Sequence, residues 1–459
     1  MANEGTLFTF QGENGRDEFR REQIADKVIS LLTSDIDISP MVIDGHWGTG
    51  KTEFCHKLMG KFETEHNSYR LLYIDAFQAD HADNPLLTIL AEVLSLLPDG
   101  EQKQSLREKI VPVVRYGIKT TLKAGVSHLL RENADDIANG LEEHLQKAAD
   151  QAIDASVMAM LKDHEEAQGN LKALQTVLAQ VAEDNPIVIF IDELDRCRPD
   201  FAVQMLEVIK HTFHVDNVKF VLVTNTTQLR AAINHSYGPL VDAQRYLDKF
   251  LKFRFYLPEF IPGTGSNKTL TSIKHFNDLV GKSSALKNTV INNHNNSTYK
   301  FSESIIRQNQ LSLREIETFV RHLDIFQTLS KGISNNIILG YQLFNVFGVF
   351  IFCFRSDILA EIKGKNINAK LIANVLGLKN MDAFQSKNPK NHSVNELVAA
   401  LLAQSCTLNN ENYLFREEIK EHWQYTISNS FFGSDNVTGK EFSVIEDVFD
   451  VLNLTQGRL

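Results

Sequence analysis

Nine residues in a row, Gly45-His46-Trp47-Gly48-Thr49-Gly50-Lys51-Thr52-Glu53, have the types and spacing to cradle a phosphate chain. Glycines let the backbone curl until successive N–H groups point inward at anionic oxygens. A helix opening at the end of such a turn adds its own free N–H groups and the positive end of its dipole. The first eight fit GxxxxGK[ST]. In that pattern Lys51 reaches the β- and γ-phosphates and the Thr52 hydroxyl ligates Mg²⁺. Gly45 to Glu53 are therefore the candidate nucleotide-binding residues.

Such a turn needs a second carboxylate for the magnesium side, at the end of a neighbouring apolar strand. Ile187 to Ile191 read as that strand, and Asp192-Glu193 follow at once. Asp192 is the candidate metal residue, acting directly or through water. Glu193 is the candidate general base, polarising the water that attacks the γ-phosphorus. Another apolar run, Val218 to Val223, ends at Thr224-Asn225. Asn225 either holds that water, or senses the γ-phosphate, or caps the turn.

The elements around these residues are legible in outline. Glu18 to Thr33 read as an amphipathic helix, and Met41 to Asp44 as the short strand that delivers the phosphate turn. Glu53 to Lys61 are helical, and Arg70 to Asp75 form a second buried strand. From about 86 to 182 the pattern is helical, with Pro98 and Pro112 as breaks. Strands return at 187–191, 218–223 and Lys252–Leu257, with helices at Phe201–Phe213 and Asp242–Leu251. Apolar strands alternating with helices predict an α/β fold with a parallel sheet covered on both faces. Pro262 to about Lys300, rich in Ser, Asn, Gly and Lys, reads as a loop or weak boundary. Residues 301–459 look mostly helical. The expected organisation is an N-terminal helical segment (1–36), a P-loop core (37–262) interrupted by a helical insertion at about 100–170, and a helical lid and C-terminal interaction domain (263–459).

Composition narrows the function classes. The 459 residues carry 47 Lys and Arg against 58 Asp and Glu, a net charge of −11. That argues against a nucleic-acid coat but leaves room for a local nucleic-acid contact. Arg131 to Ala182 hold 10 acidic and 4 basic residues, a net −6, so more than half of the excess lies away from the phosphate turn. Cys55, Cys197, Cys353 and Cys406 have no metal or disulfide-framework spacing, and Cys197 is expected to be packed rather than reactive. The N-terminus lacks a signal-peptide pattern, which reads as a cytoplasmic protein. Ile337 to Phe354 form an 18-residue charge-free run. That run is expected to be a buried helix rather than a membrane span. Ile110 to Leu130 carry Arg115, Lys119 and Lys123 as one polar stripe, which makes that segment amphipathic. Peripheral membrane association stays open.

The phosphate turn with Trp47 inside it, together with Ile191-Asp192-Glu193-Leu194-Asp195-Arg196-Cys197-Arg198-Pro199, resembles the KAP family of P-loop NTPases, related to AAA+ and STAND proteins. Tyr246-Leu247-Asp248-Lys249-Phe250 matches the family's YLxKF element. The resemblance runs from about residue 17 to 330. Glu193 replaces a more usual Asp, Asp75-Ala76-Phe77 stands where N-A-W is common, and Asn225 stands where many members carry Asp. Many relatives have membrane-spanning helices between the two phosphate-site motifs, whereas here the insertion reads as soluble helices.

The resemblance implies an ATP-hydrolysing, Mg²⁺-dependent molecular switch, often oligomeric, with a bacterial role such as anti-phage defence beside a separate effector. In related ATPases a basic residue from a neighbouring subunit completes the site. Arg245 and Lys249 stand where it would be placed, with Arg196 and Arg198 as alternatives; a plain helix salt bridge is the other reading of Arg245 and Lys249. Arg314, at the start of a C-terminal helix, is a candidate phosphate contact from the lid. A nucleic-acid-dependent motor or sensor and a non-hydrolysing ATP scaffold are the competing functions.

Overall fold

The computed structural model describes residues 9–11, 15–82, 85–96, 185–212, 215–261, 268–378, 393–411 and 441–454, with a few isolated positions between 100 and 183. The expected insertion at 100–170, the Ile110–Leu130 stripe and most of the acidic stretch Arg131–Ala182 lie outside these residues. The chain divides into two units. One is Met1–Asp17, Arg21–His46 and Gly50–Leu257, and the other is Glu18–Arg20, Trp47–Thr49 and Pro258–Leu459.

The first unit is built on five parallel strands. These are β1 (Met41–Asp44), β2 (Arg70–Asp75), β3 (Ile187–Asp192), β4 (Val218–Thr224) and β5 (Phe253–Tyr256), in the spatial order β2-β3-β4-β1-β5. Alternate residues feed two cores. Ile187, Ile189 and Ile191 of β3 join one core with Val42, Phe220 and Leu222, while Val188 and Phe190 join the other with Ile43, Val221 and Val223. Burial on both faces is what lets a strand read as a continuous apolar run. The register sets Asp44 beside Thr224 and Asp192 beside Val223, so the carboxyl ends of β1, β3 and β4 share one edge.

Among the described residues the α-helices of this unit are α1 (Glu22–Leu32), α2 (Lys51–Glu65), α3 (Ala76–Ala79), α4 (Pro85–Ser95), α5 (Pro199–Thr212), α6 (Thr226–Tyr237) and α7 (Ala243–Asp248). The helix expected from Glu18 begins only at Glu22. Arg20 is left-handed (φ 54°), and the Asp17 carboxylate accepts from the Arg21 and Glu22 amides (2.6 and 3.1 Å), which sets the start there. The helix expected over 242–251 is shorter, with Asp242 capping it.

The second unit is helical around one apolar core. Its helices are α8 (Thr271–Lys282), α9 (Ser297–Gln308), α10 (Leu313–Ser330), α11 (Leu339–Phe354), α12 (Ser356–Lys363), α13 (Ala369–Val375), α14 (Val394–Gln404) and α15 (Glu441–Leu452). The stretch 262–300, read as a loop or weak boundary, begins close to the division between the units, but its described part is not simply a loop. Phe260–Ile261 pairs antiparallel with Thr269–Leu270, and α8 follows with Ile273, Phe276 and Val280 buried. Those three recur at three- and four-residue spacing, a helical stripe that polar neighbours mask.

The apolar run at 337–354 forms α11, most of it buried. Its polar residues are satisfied inside the unit. Gln342 accepts from the Thr298 hydroxyl (2.8 Å) and donates to the Ser334 and Ile337 carbonyls, and Asn345 donates to the Gly332 carbonyl. Among the described residues no single helix is long and apolar enough to cross a membrane; α11 and α12 together bend by 113°.

Candidate functional site at the phosphate turn

In the first unit β1 ends at Asp44, and the chain turns through Gly45 and His46 before α2 opens at Lys51. Gly50 caps that helix in the left-handed conformation (φ 79°), with no side chain closing the first amides. Gly48 is left-handed too (φ 73°). A helix start without a side-chain cap leaves orphan N–H groups that suit an anion.

Lys51 is buried, and its Nζ donates to the Gly45 carbonyl (2.7 Å) and the His46 carbonyl (3.1 Å). Burial pulls its pKa down, against the opposing pull of Asp195, Asp192 and Asp44. The ammonium is thus held inside the turn's own backbone, where phosphate oxygens would compete for its protons.

Asp192 is 1% exposed. Its Oδ1 accepts from the Glu193 amide (2.7 Å), its Oδ2 from the Tyr73 hydroxyl (3.2 Å), and Thr52 bonds it by its side chain. Burial raises the Asp192 pKa, and these donors only partly oppose it. One hydroxyl and one carboxylate, both hard oxygen donors, fit a magnesium ion that keeps most of its waters and takes phosphate oxygens for the rest. Among the described residues no group of three or more His, Cys, Asp or Glu could hold a metal.

Glu193 adopts a left-handed backbone (φ 59°) and pairs with Arg196 at 3.0 Å. Left-handed geometry in a non-glycine residue is a strain that functional turns often carry. Asp195, two residues on, accepts from the Thr224 hydroxyl (2.9 Å). Sequence reading passed over Asp195 and Tyr73, although both belong to the arrangement around Lys51 and Asp192. Cys197 is buried as expected, its thiol pushed up to about 12 by burial and nearby carboxylates.

The other candidates have different surroundings. Glu53 turns away to Arg16 (3.1 Å) and Lys57 (2.7 Å); burial works against its charge, yet these two cations hold its pKa down. Asn225 is buried and caps α6, its Oδ1 accepting from the Thr227 amide (3.1 Å). Arg245 is 87% exposed and pairs with Asp242 at 3.3 Å. Lys249 lies 6.0 Å over the Tyr246 ring. Arg198 binds Asp80 through its side chain and its amide. Among the described residues neither Arg245 nor Lys249 bonds Lys51, Thr52 or Asp192.

The middle of the turn, Trp47–Thr49, groups with the second unit. There the Leu313 amide donates to the Gly48 carbonyl (2.9 Å), and Trp47 is half exposed. A Cβ on Gly48 would meet Ser312 at 2.6–2.7 Å and the Arg314 Cβ at 3.4 Å, so Arg314 stands beside Gly48. Ser312 and Glu315 close a capping box at the start of α10.

No curated protein matches the sequence significantly. Solved structures similar to it include the Aeropyrum pernix ORC2 protein in ADPNP–ADP complexes (11% identity, 95% of each chain, TM-score 0.35). C. elegans PCH-2 is similar at 12% identity over 77% of this chain and 71% of that one, with a TM-score of 0.30. AMPPCP-bound DnaA from Aquifex aeolicus is similar at 12% identity, 96% and 97% coverage and a TM-score of 0.31. The description "KAP family P-loop domain" matches residues 21–330, more than half of the chain. The chain belongs to the KAP family of P-loop NTPases.

Proposed function

We propose that this protein binds ATP at Gly45–Thr52 and hydrolyses it with magnesium, acting as a nucleotide-driven switch. The observation that carries this reading is the uncapped start of α2, which places Lys51 in the turn and Thr52 against Asp192. Main-chain N–H groups of the turn bind the phosphates, and Lys51 moves from its carbonyl partners to the β- and γ-phosphate oxygens. Thr52 and Asp192 hold the metal side. Magnesium there supplies neutralisation of phosphate charge. Glu193 takes a proton from the attacking water once its carboxylate leaves Arg196.

Arg245 and Lys249, with Arg196 and Arg198 as alternatives, are the cations that would reach a second copy's phosphates if the active form is an oligomer. A role beside a separate effector in phage defence rests on family likeness. Turnover tests the chemistry: Glu193→Gln should bind ATP and lose hydrolysis by about 10²-fold or more. If the natural protein binds ATP without hydrolysing it, the scaffold reading replaces this one. Specific activity rising with protein concentration would support a composite site, and a flat dependence would remove it.

A further inference from the structure

Asp192 is gripped from three directions, and the phosphate-site motifs account for only two. Thr52 of α2 and the Glu193 amide belong to those motifs. The third donor is Tyr73 of β2, 119 residues away in sequence, whose hydroxyl reaches Asp192 Oδ2 at 3.2 Å. The sheet makes this contact possible: β2 pairs with β3 in parallel register, Tyr73 opposite Phe190 and Ile74 opposite Ile191, so the phenol leans two residues along to the strand end. The ring is held in turn. His56 of α2 lies against it with ring centroids 4.4 Å apart and planes tilted by 40°. Burial lowers the His56 pKa.

We infer that Tyr73 is a positioning residue that aims the Asp192 carboxylate at the magnesium side of the nucleotide site, with His56 bracing the phenol. A carboxylate with one oxygen on the Glu193 amide and the other on the phenol cannot swing freely about its last torsion. The Thr52 hydroxyl bonds the same carboxylate, so three donors together fix the orientation of a residue that would hold magnesium. Tyr73 donates to the carboxylate and so acts through Asp192 rather than on the substrate. Outer partners of this kind typically govern metal affinity by about 10- to 100-fold. At 3.2 Å the Tyr73 contact belongs at the lower end of that range.

This inference rests on the proposed nucleotide site, and its test separates the two. The full chain is titrated with magnesium at fixed fluorescent ATP, and binding is also measured in EDTA. In Tyr73→Phe the magnesium needed for half-maximal binding should rise about 10-fold. Metal-free ATP binding should stay within about twofold, because Lys51 and the turn are untouched. His56→Ala, which keeps the hydroxyl but removes its brace, should shift the magnesium requirement in the same direction by less. Thermal melts of all three proteins show whether each variant is folded. Overlapping magnesium curves for Tyr73→Phe and wild type would overturn the assignment. So would an equal loss of metal-free binding, which marks a merely structural role. Wild-type chain that binds ATP in neither condition removes the nucleotide site itself, and the Tyr73 role with it.

Discussion

A buried histidine in the second unit offers the sharpest stability test. His275 of α8 has a side chain 4% exposed, with Nδ1 3.1 Å from Glu18 and Nε2 3.3 Å from Glu317 of α10. Phe19 stands edge-on to the imidazole. Burial works against a charge here, but the two carboxylates more than offset it and lift the pKa from 6.5 to about 9. A folded-state pKa above the unfolded value stabilises fully below the unfolded pKa, and that stability is lost as pH rises through the folded one. The window therefore opens near 6.5 and closes near 9. A shift of this size corresponds to about 3 kcal/mol as an upper bound. Glu317 is half exposed and its share is screened, which leaves about 2 kcal/mol. His275→Gln removes the titration while keeping a hydrogen-bonding side chain. Thermal melts at pH 6 and pH 9.5 should show wild type exceeding the variant by about 4–8 °C at the lower pH and by little at the higher. An unchanged gap between the two proteins across that range would refute the charged His275 bridge.

Substitutions at three further positions extend the stability test. Gly48→Ala combines a left-handed backbone with a Cβ 2.6 Å from the Ser312 hydroxyl, so it should lower stability by about 2 kcal/mol. Gly281→Ala, with nothing within 4 Å of the new Cβ, should gain about 0.5–1 kcal/mol in the same melts. Asn225→Ala should cost about 1 kcal/mol through the lost cap of α6, whereas Asn225→Asp keeps the acceptor and the stability. Full ATP hydrolysis in Asn225→Ala would reduce Asn225 to that cap.

The parts of the fold legible in sequence are those where one local rule governs. Met41–Asp44 and Arg70–Asp75 stand in the structure where their apolar runs, bounded by polar residues, put them. The turn between β1 and α2 carried its own chemistry in its glycines and lysine. Helix α6 was missed because its mixed sequence buries only Thr226, Leu229 and Ile233, a stripe too thin to stand out. The same weakness turned α8 into an expected loop. Strand order was beyond local reading, and with it every contact made through register. Tyr73 on Asp192 and Thr224 on Asp195 exist because β2, β3 and β4 lie side by side, which no spacing along the chain announces. The Arg16 partner of Glu53 was hidden for a related reason, since it lies 37 residues upstream.

The most direct measurement of the central claim is calorimetric titration of the purified chain with ATP and magnesium, beside Lys51→Ala. The account predicts saturable binding at one site per chain, weakened at least about 10-fold when the buried ammonium is removed. Equal binding by the two proteins, or none by either, would contradict a nucleotide site at Gly45–Thr52.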